Sequence, residues 1–243
     1  MGRWSSRPAG RVVGVTDTLT GTDASAGVAG SAWRYLLGTL VTSVPVDSVA
    51  QALEVAQAAV AACGQDADGH LRVDLRSGRV ELSLQTAVLA DLTMVDVDLS
   101  RRISEAVAAL GLTIDGVTTD GRRRSVQMLE IAIDAMDIPA VRGFWKAAMG
   151  YSDEPGRDGP TDALIDPTWQ GPTIWFQQMD QPRPQRNRIH LDLTVPHDEA
   201  EARVQAALDA GGVLVSDAAA RSFWILADVE GNEICICTWQ DRE

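Results

Sequence analysis

Leu129-Glu130-Ile131-Ala132-Ile133-Asp134 and Ile189-His190-Leu191-Asp192-Leu193-Thr194 stand sixty positions apart and read alike, apolar residues alternating with polar ones. Such alternation is the period of a half-buried strand. The same offset relates Gly171-Pro172-Thr173-Ile174-Trp175-Phe176 to Gly231-Asn232-Glu233-Ile234-Cys235-Ile236. Between these anchors each copy holds a capped helical segment, Asp137 to Met149 closed by Gly150, and Asp198 to Ala210 closed by Gly211-Gly212. A unit of strand, helix and further strands is therefore present twice, and duplicated units usually pack against their own copies. Residues 126–243 are expected to form paired βαβββ repeats related by a pseudo-two-fold axis, with a cleft between their sheets.

Upstream, the pattern is different. Trp33-Arg34-Tyr35 and Leu40-Val41-Thr42-Ser43-Val44 read as two strands joined at Gly38. Asp47 or Ser48 caps a helix to about Cys63, with Val49, Leu53, Ala56 and Val60 as its apolar face and Gly64 as its stop. Leu71, Val73 and Leu75 alternate with Arg72 and Asp74, and after Ser77-Gly78 the residues Val80, Leu82 and Leu84 do the same. Thr93 caps a second helix with Leu99, Ile103, Val107 and Leu110 as its stripe. This is a ββαββα arrangement over residues 17–113, an antiparallel sheet with helices on one face. Residues 1–16 read as a flexible lead and 114–125, with Arg122-Arg123-Arg124, as a linker. The whole is α+β, two domains in 243 residues.

Composition limits the chemistry. Lys+Arg is 21 against Asp+Glu 34, a formal charge of −13. Nucleic-acid affinity rests on clustered cations, so a nucleic-acid partner is not expected. Apolar runs fall short of a membrane span and no signal-peptide core follows Met1, which leaves a cytoplasmic reading with no membrane partner. Three cysteines spread along the chain are no disulfide framework. Three histidines, His70, His190 and His197, supply every imidazole any mechanism can use. His197, beside Asp198 at a helix start, reads as a cap or surface residue.

Side chains alternate across a strand, so the repeat strands sort into two faces. Leu129, Ile131, Ile133, Ile174, Phe176, Ile189, Leu191, Leu193, Val195, Ile234 and Ile236 belong to the helix-packed face. The opposite face carries Glu130, Ala132, Asp134, Thr173, Trp175, Gln177, His190, Asp192, Thr194, Glu233, Cys235 and Cys237. Tryptophan, histidine and cysteines there point to a sheltered ligand cavity. Glu130, Trp175, Gln177, His190, Asp192 and Cys235 are its candidate lining, with Trp145 and Trp224 as further aromatic walls.

With Phe144-Trp145, Met149-Gly150-Tyr151, Asn187-Arg188-Ile189-His190-Leu191-Asp192 and the run from Trp224 through Asp228-Val229-Glu230-Gly231-Asn232-Glu233, residues 125–240 resemble a glyoxalase-like domain of the vicinal oxygen chelate superfamily. The resemblance implies metal-ligand positions on four strands, falling here at Glu130, Trp175, His190 and Cys235. Trp175 cannot bind a metal. No resident cofactor is assigned on this basis, although Glu130, His190 and Cys235 together would suit a zinc-like divalent ion.

Residues 17–113 resemble a pterin-4a-carbinolamine dehydratase. The residues carrying this are Leu19-Thr20, Trp33-Arg34-Tyr35, Gly38-Thr39-Leu40, Gly69-His70-Leu71, Arg79 to Thr86 and Leu92-Thr93. That family removes the 4a-hydroxyl of a tetrahydropterin, its substrate, with imidazoles as general acid and base. Its His-His-Pro and Thr-His motifs read here as Gly69-His70-Leu71 and Thr86-Ala87, so His70 alone remains. Asp66 and Asp68 lie just upstream, and Asp68 is the candidate assistant.

The expected function is small-molecule handling by a fused pair: a lyase-like domain acting through His70 and Asp68, and a glyoxalase-like ligand-binding domain. The alternative is non-catalytic binding or sequestration in the C-terminal cleft. A second copy of the chain is a candidate partner, since dehydratase-like domains can associate through their sheets and helices.

Overall fold

A computed structural model describes residues 17–114, 126–183 and 189–241. The expected flexible lead, almost all of the expected linker, and Asn187-Arg188 lie outside the described residues. The chain divides into two compact units, Met1–Gln127 and Met128–Glu243. No helix among the described residues is long and apolar enough to cross a membrane.

The first unit opens with α1 (Gly21–Gly27), a short helix that is not among the expected elements. Its N-cap is Thr20, whose hydroxyl accepts the Asp23 N–H at 3.1 Å. Then come β1 (Arg34–Leu36), β2 (Thr39–Pro45), α2 (Val49–Cys63), the short α3 (Ala67–His70), β3 (Leu71–Arg76), β4 (Arg79–Leu84) and α4 (Met94–Ala109). The four strands form one antiparallel sheet in the order β1-β2-β4-β3. Leu40, Val44, Val80, Leu82 and Leu84 of the sheet are fully buried in one core with residues of α2 and α4. Leu112 and Ile114 pack against the same core, so it reaches the first position assigned to the linker.

Two helix stripes differ from expectation. In α2 the buried residues are Ala52, Val55, Ala59 and Cys63, while Val49, Leu53 and Val60 are exposed. Small side chains let the helix sit close to α4 and the sheet, and bulkier Ile103 and Val107 of α4 fill the shared space. In α4, Val97, Leu99, Ile103 and Val107 are buried, whereas Leu110 is the exposed C-cap.

The second unit holds the repeat. Its first copy is β5 (Glu130–Ala135), α5 (Ile138–Met149), β6 (Ser152–Asp153), β7 (Leu164–Ile165) and β8 (Thr173–Gln178). Its second copy is β9 (Leu191–Thr194), α6 (Ala200–Asp209), β10 (Val213–Ser216), β11 (Phe223–Ala227) and β12 (Glu233–Cys237). The sheets run β5-β8-β7-β6 and β10-β11-β12-β9. In each, the first strand of the copy pairs in parallel with the last. The two sheets and both helices share one core, including Ile133, Val141, Phe144, Ile174, Val204, Ala207, Leu226, Ile234 and Ile236. Leu129 and Ile189, expected to pack, are 69% and 80% exposed because they precede β5 and β9.

Helix boundaries follow local chemistry. Asp137 caps α5 by accepting the Ala140 N–H at 3.2 Å, and Gly150 ends it with φ of 67°. The N-cap of α6 is Glu199 rather than Asp198. His197 is no cap: its ring packs edge-on against Trp239, the centroids 5.4 Å apart.

Ahead of β8 the chain wraps around Asp166, whose carboxylate accepts the Thr168, Gln170 and Gly171 N–H groups and the Thr168 hydroxyl at 2.7–3.0 Å. Burial pushes this carboxyl up, but the hydrogen bonds outweigh burial and hold it below its ordinary value of 3.8. Its contribution to stability is therefore complete above that value and is lost as pH falls through the lower folded value. Asp166→Asn should flatten part of the acid limb of the stability–pH curve, measured by denaturant unfolding. An unchanged acid limb would remove this role from Asp166.

A Cβ at Gly212 would run into the Phe144 ring, which is 1% exposed, and come within 2.8 Å of the Ala207 carbonyl oxygen. Gly212→Ala should destabilise the protein by about 1–3 kcal/mol through overpacking. At Gly111, φ is 74° and a Cβ meets nothing within 4 Å. Gly111→Ala should cost only the backbone strain, about 1 kcal/mol. Equal losses in chemical denaturation would show that the Phe144 contact is not limiting.

Candidate functional site

In the first unit, the site forms where α3, β4 and α4 converge. His70 ends α3, and its Nδ1 lies 2.8 Å from Oδ1 of Asp96, with the side chains 15% and 0% exposed. Asp96 stands three residues into α4 and completes a capping box with Thr93. Its second oxygen accepts the Thr93 N–H and the Thr86 hydroxyl, each at 2.8 Å. An ionised carboxylate only accepts hydrogen bonds, so His70 Nδ1 carries the proton toward Asp96. Nε2 is then the nitrogen left for proton exchange with a substrate.

The carboxylate that orients His70 is thus Asp96 and not Asp68. Asp68 is exposed and stands two residues before His70 on α3, and residues two apart on a helix do not face each other. A signal for Asp96 was present in Thr93-x-x-Asp96, the pattern of a capping box. Beside the dyad, the buried Gln85 amide donates to the Gly38 carbonyl at 2.9 Å and its oxygen accepts from Arg72 at 3.2 Å. Burial lowers the pKa of that arginine from its ordinary value.

In the second unit, the expected polar face divides. Cys235 on β12 lies directly across from Asp192 on β9, and Ala132 on β5 across from Trp175 on β8. Gln177, His190 and Asp192 are exposed, Glu130 and Trp175 half-buried, and Cys235 buried. His190 Nε2 is 3.2 Å from Asp192 Oδ1. Burial, with a hydrogen bond to Asp192 next, pushes the Cys235 thiol up to about 12. The potential ligand atoms of His190, Asp192 and Cys235 lie within 4.8 Å of one another.

Trp145 and Trp224 do not line a cavity on this face. Trp145 is 1% exposed on the inward side of α5, its indole N–H donating to Asp228 at 3.0 Å. Trp224 pairs across β11 and β12 with Ile236, which puts it on the apolar side of the sheet. Aromatic character alone did not reveal which layer each ring occupies.

A cleft of about 450 Å³ opens on the apolar side. Ile131, Leu191 and Leu193 line it together with Met149, Tyr151, Asp166, Gln170, Gly171, Pro172 and Asp192. These aliphatic residues, expected to be core, are only partly buried because β5 and β9 are edge strands. The Tyr151 hydroxyl donates to the Pro172 carbonyl at 2.9 Å, which fixes the loop over the cleft.

A metal on the four strand positions implied by resemblance does not fit these residues. The indole of Trp175 offers a donor N–H and no ligating lone pair. Among the described residues, the potential ligand atoms that cluster are those of His190, Asp192 and Cys235, without Glu130.

A family model described as a glyoxalase-like domain matches residues 130–237. Among solved structures, the chain is similar to a glyoxalase/bleomycin resistance protein/dioxygenase family enzyme from Burkholderia phytofirmans PsJN, with 18% identity over 45% of this chain and 95% of that one and a TM-score of 0.37. It is also similar to a glyoxalase-related enzyme from Fulvimarina pelagi, with 17% identity over 46% and 87% and a TM-score of 0.38. A fosfomycin resistance protein from Mesorhizobium loti is 6% identical over 46% and 90%, with a TM-score of 0.36. No curated protein matches the chain. The family match spans both βαβββ copies from Glu130 to Cys237, so it is the second unit of this chain that is similar to a glyoxalase-like domain.

Proposed function

We propose that the protein handles small organic molecules, with a lyase reaction of the pterin-carbinolamine dehydratase type in the first unit and a ligand-binding glyoxalase-like domain in the second. The observation that carries the lyase reading is the His70–Asp96 pair, an imidazole held at 2.8 Å by a fully buried carboxylate. Dehydration of a carbinolamine needs a proton delivered to the leaving hydroxyl and another removed from the adjacent N–H. His70 Nε2 delivers the first, so the C–O bond breaks and water departs. The N–H proton passes to solvent as the C=N bond forms, because Gly69 and Ala87 stand where the family has further imidazoles. Asp96 stabilises the imidazolium and fixes the ring without itself touching substrate.

The experiment follows 4a-hydroxytetrahydropterin dehydration by the full chain. Removing a general acid–base group costs about 10²–10⁴-fold, so His70→Ala should fall by that order above the spontaneous rate. Asp96→Asn should lower the rate and alter its pH profile while the protein stays folded, and Asp68→Asn should match the parent chain. Equal rates for the parent and His70→Ala would end the lyase reading.

The cleft favours a second reading, non-catalytic binding of a small ligand. Its aliphatic wall and few polar groups are the usual composition of a ligand pocket. Calorimetry with a panel of small aromatic compounds should find a binder whose affinity is lost in Leu191→Arg. Heats of mixing indistinguishable from buffer across the panel, or a binder insensitive to Leu191→Arg, would count against the cleft.

A further inference from the structure

We propose that the glyoxalase-like domain holds a divalent metal of the zinc class on a single strand pair, with His190, Asp192 and Cys235 as its three protein ligands. The site belongs to the second unit and shares no residue with the His70–Asp96 pair of the first, so its fate in experiment is independent of the lyase reading. One nitrogen, one oxygen and one sulfur ligand atom lie within 4.8 Å of one another. Two of the three are fixed by backbone register, since Asp192 and Cys235 are direct partners in the parallel β9–β12 ladder. His190 precedes Asp192 by two residues, the spacing that returns a side chain to the same face of a strand, and its Nε2 approaches Asp192 Oδ1 to 3.2 Å.

The disagreement with the four-strand arrangement gives this site its character. That arrangement spans both sheets and meets tryptophan at position 175. The trio instead belongs to one sheet and replaces Glu130 with Asp192. Neutral imidazole, carboxylate and thiolate together carry two negative charges, which match a divalent cation. A thiolate in the set favours zinc over magnesium or calcium, which take oxygen ligands. His190 and Asp192 are exposed while Cys235 is buried, so the exposed side of the trio remains for a fourth ligand. Three protein ligands with one open position is the pattern of a reactive rather than a purely structural zinc site. On binding, the Cys235 thiol gives its proton to solvent and the sulfur lone pair goes to the metal.

The test titrates untagged, metal-free full-length protein with zinc and, in parallel, with cobalt as a coloured substitute. One equivalent should bind, cobalt should give tetrahedral visible bands with a thiolate charge-transfer band, and zinc should raise the melting temperature. Cys235→Ser should abolish the charge-transfer band, and Cys237→Ser should keep it. His190→Ala, a surface change that leaves the fold intact, should weaken binding by more than the roughly 10–100-fold cost of losing an outer-shell partner. Glu130→Gln should bind as the parent does. Absence of stoichiometric uptake, a charge-transfer band surviving in Cys235→Ser, parent-like affinity in His190→Ala, or loss of affinity in Glu130→Gln would each overturn the assignment.

Discussion

The buried carboxylate of Asp228 is the point on which the repeated unit turns. It is 2% exposed and accepts four hydrogen bonds, from the Trp145 indole, the Asn232 amide and the backbone N–H groups of Glu230 and Asn232. A buried charge is tolerated only when paired or hydrogen-bonded. Asp228 meets that demand by shaping the turn between β11 and β12 in the second copy while gripping α5 of the first. The same turn sends Glu230 to the N–H groups of Met136 and Asp137 at 2.8 and 2.7 Å, at the start of α5. Leaving the Trp145 N–H without its acceptor would cost about 1–3 kcal/mol. The two copies are therefore joined by polar groups as well as by their common core.

A second buried carboxylate organises the first unit in a related way. Asp96 satisfies the Thr93 N–H at the start of α4 and simultaneously orients His70. A group required by the helix end thus also sets the chemistry of an imidazole. That coupling holds His70, the one histidine in residues 1–127, firmly in place.

Strand alternation made much of the architecture readable in advance. Ile131, Ile133, Ile174, Phe176, Ile234 and Ile236 face the helices as their period requires. The helix stripes were harder, because α2 offers two apolar faces and the buried one is the smaller. Close packing against α4 selects Ala52 and Ala59 over Leu53 and Val60. The site was partly readable: His70, His190 and Cys235 stand out as rare residue types, but their partners Asp96 and Asp192 belong to an abundant one. Trp145 and Trp224 looked like ligand walls by residue type and are core by position.

From its residues alone this chain specified two successive α+β units, the duplication with its sixty-residue offset, and the short supply of imidazoles. These follow from period, capping residues and counts, which are local properties of a chain. Which carboxylate meets which histidine, which face of β5 and β9 borders the cleft, and which tryptophans are buried were decided only by tertiary structure. Those outcomes depend on strand register and on the demand that every buried charge find its partners, and both bring together residues far apart in sequence.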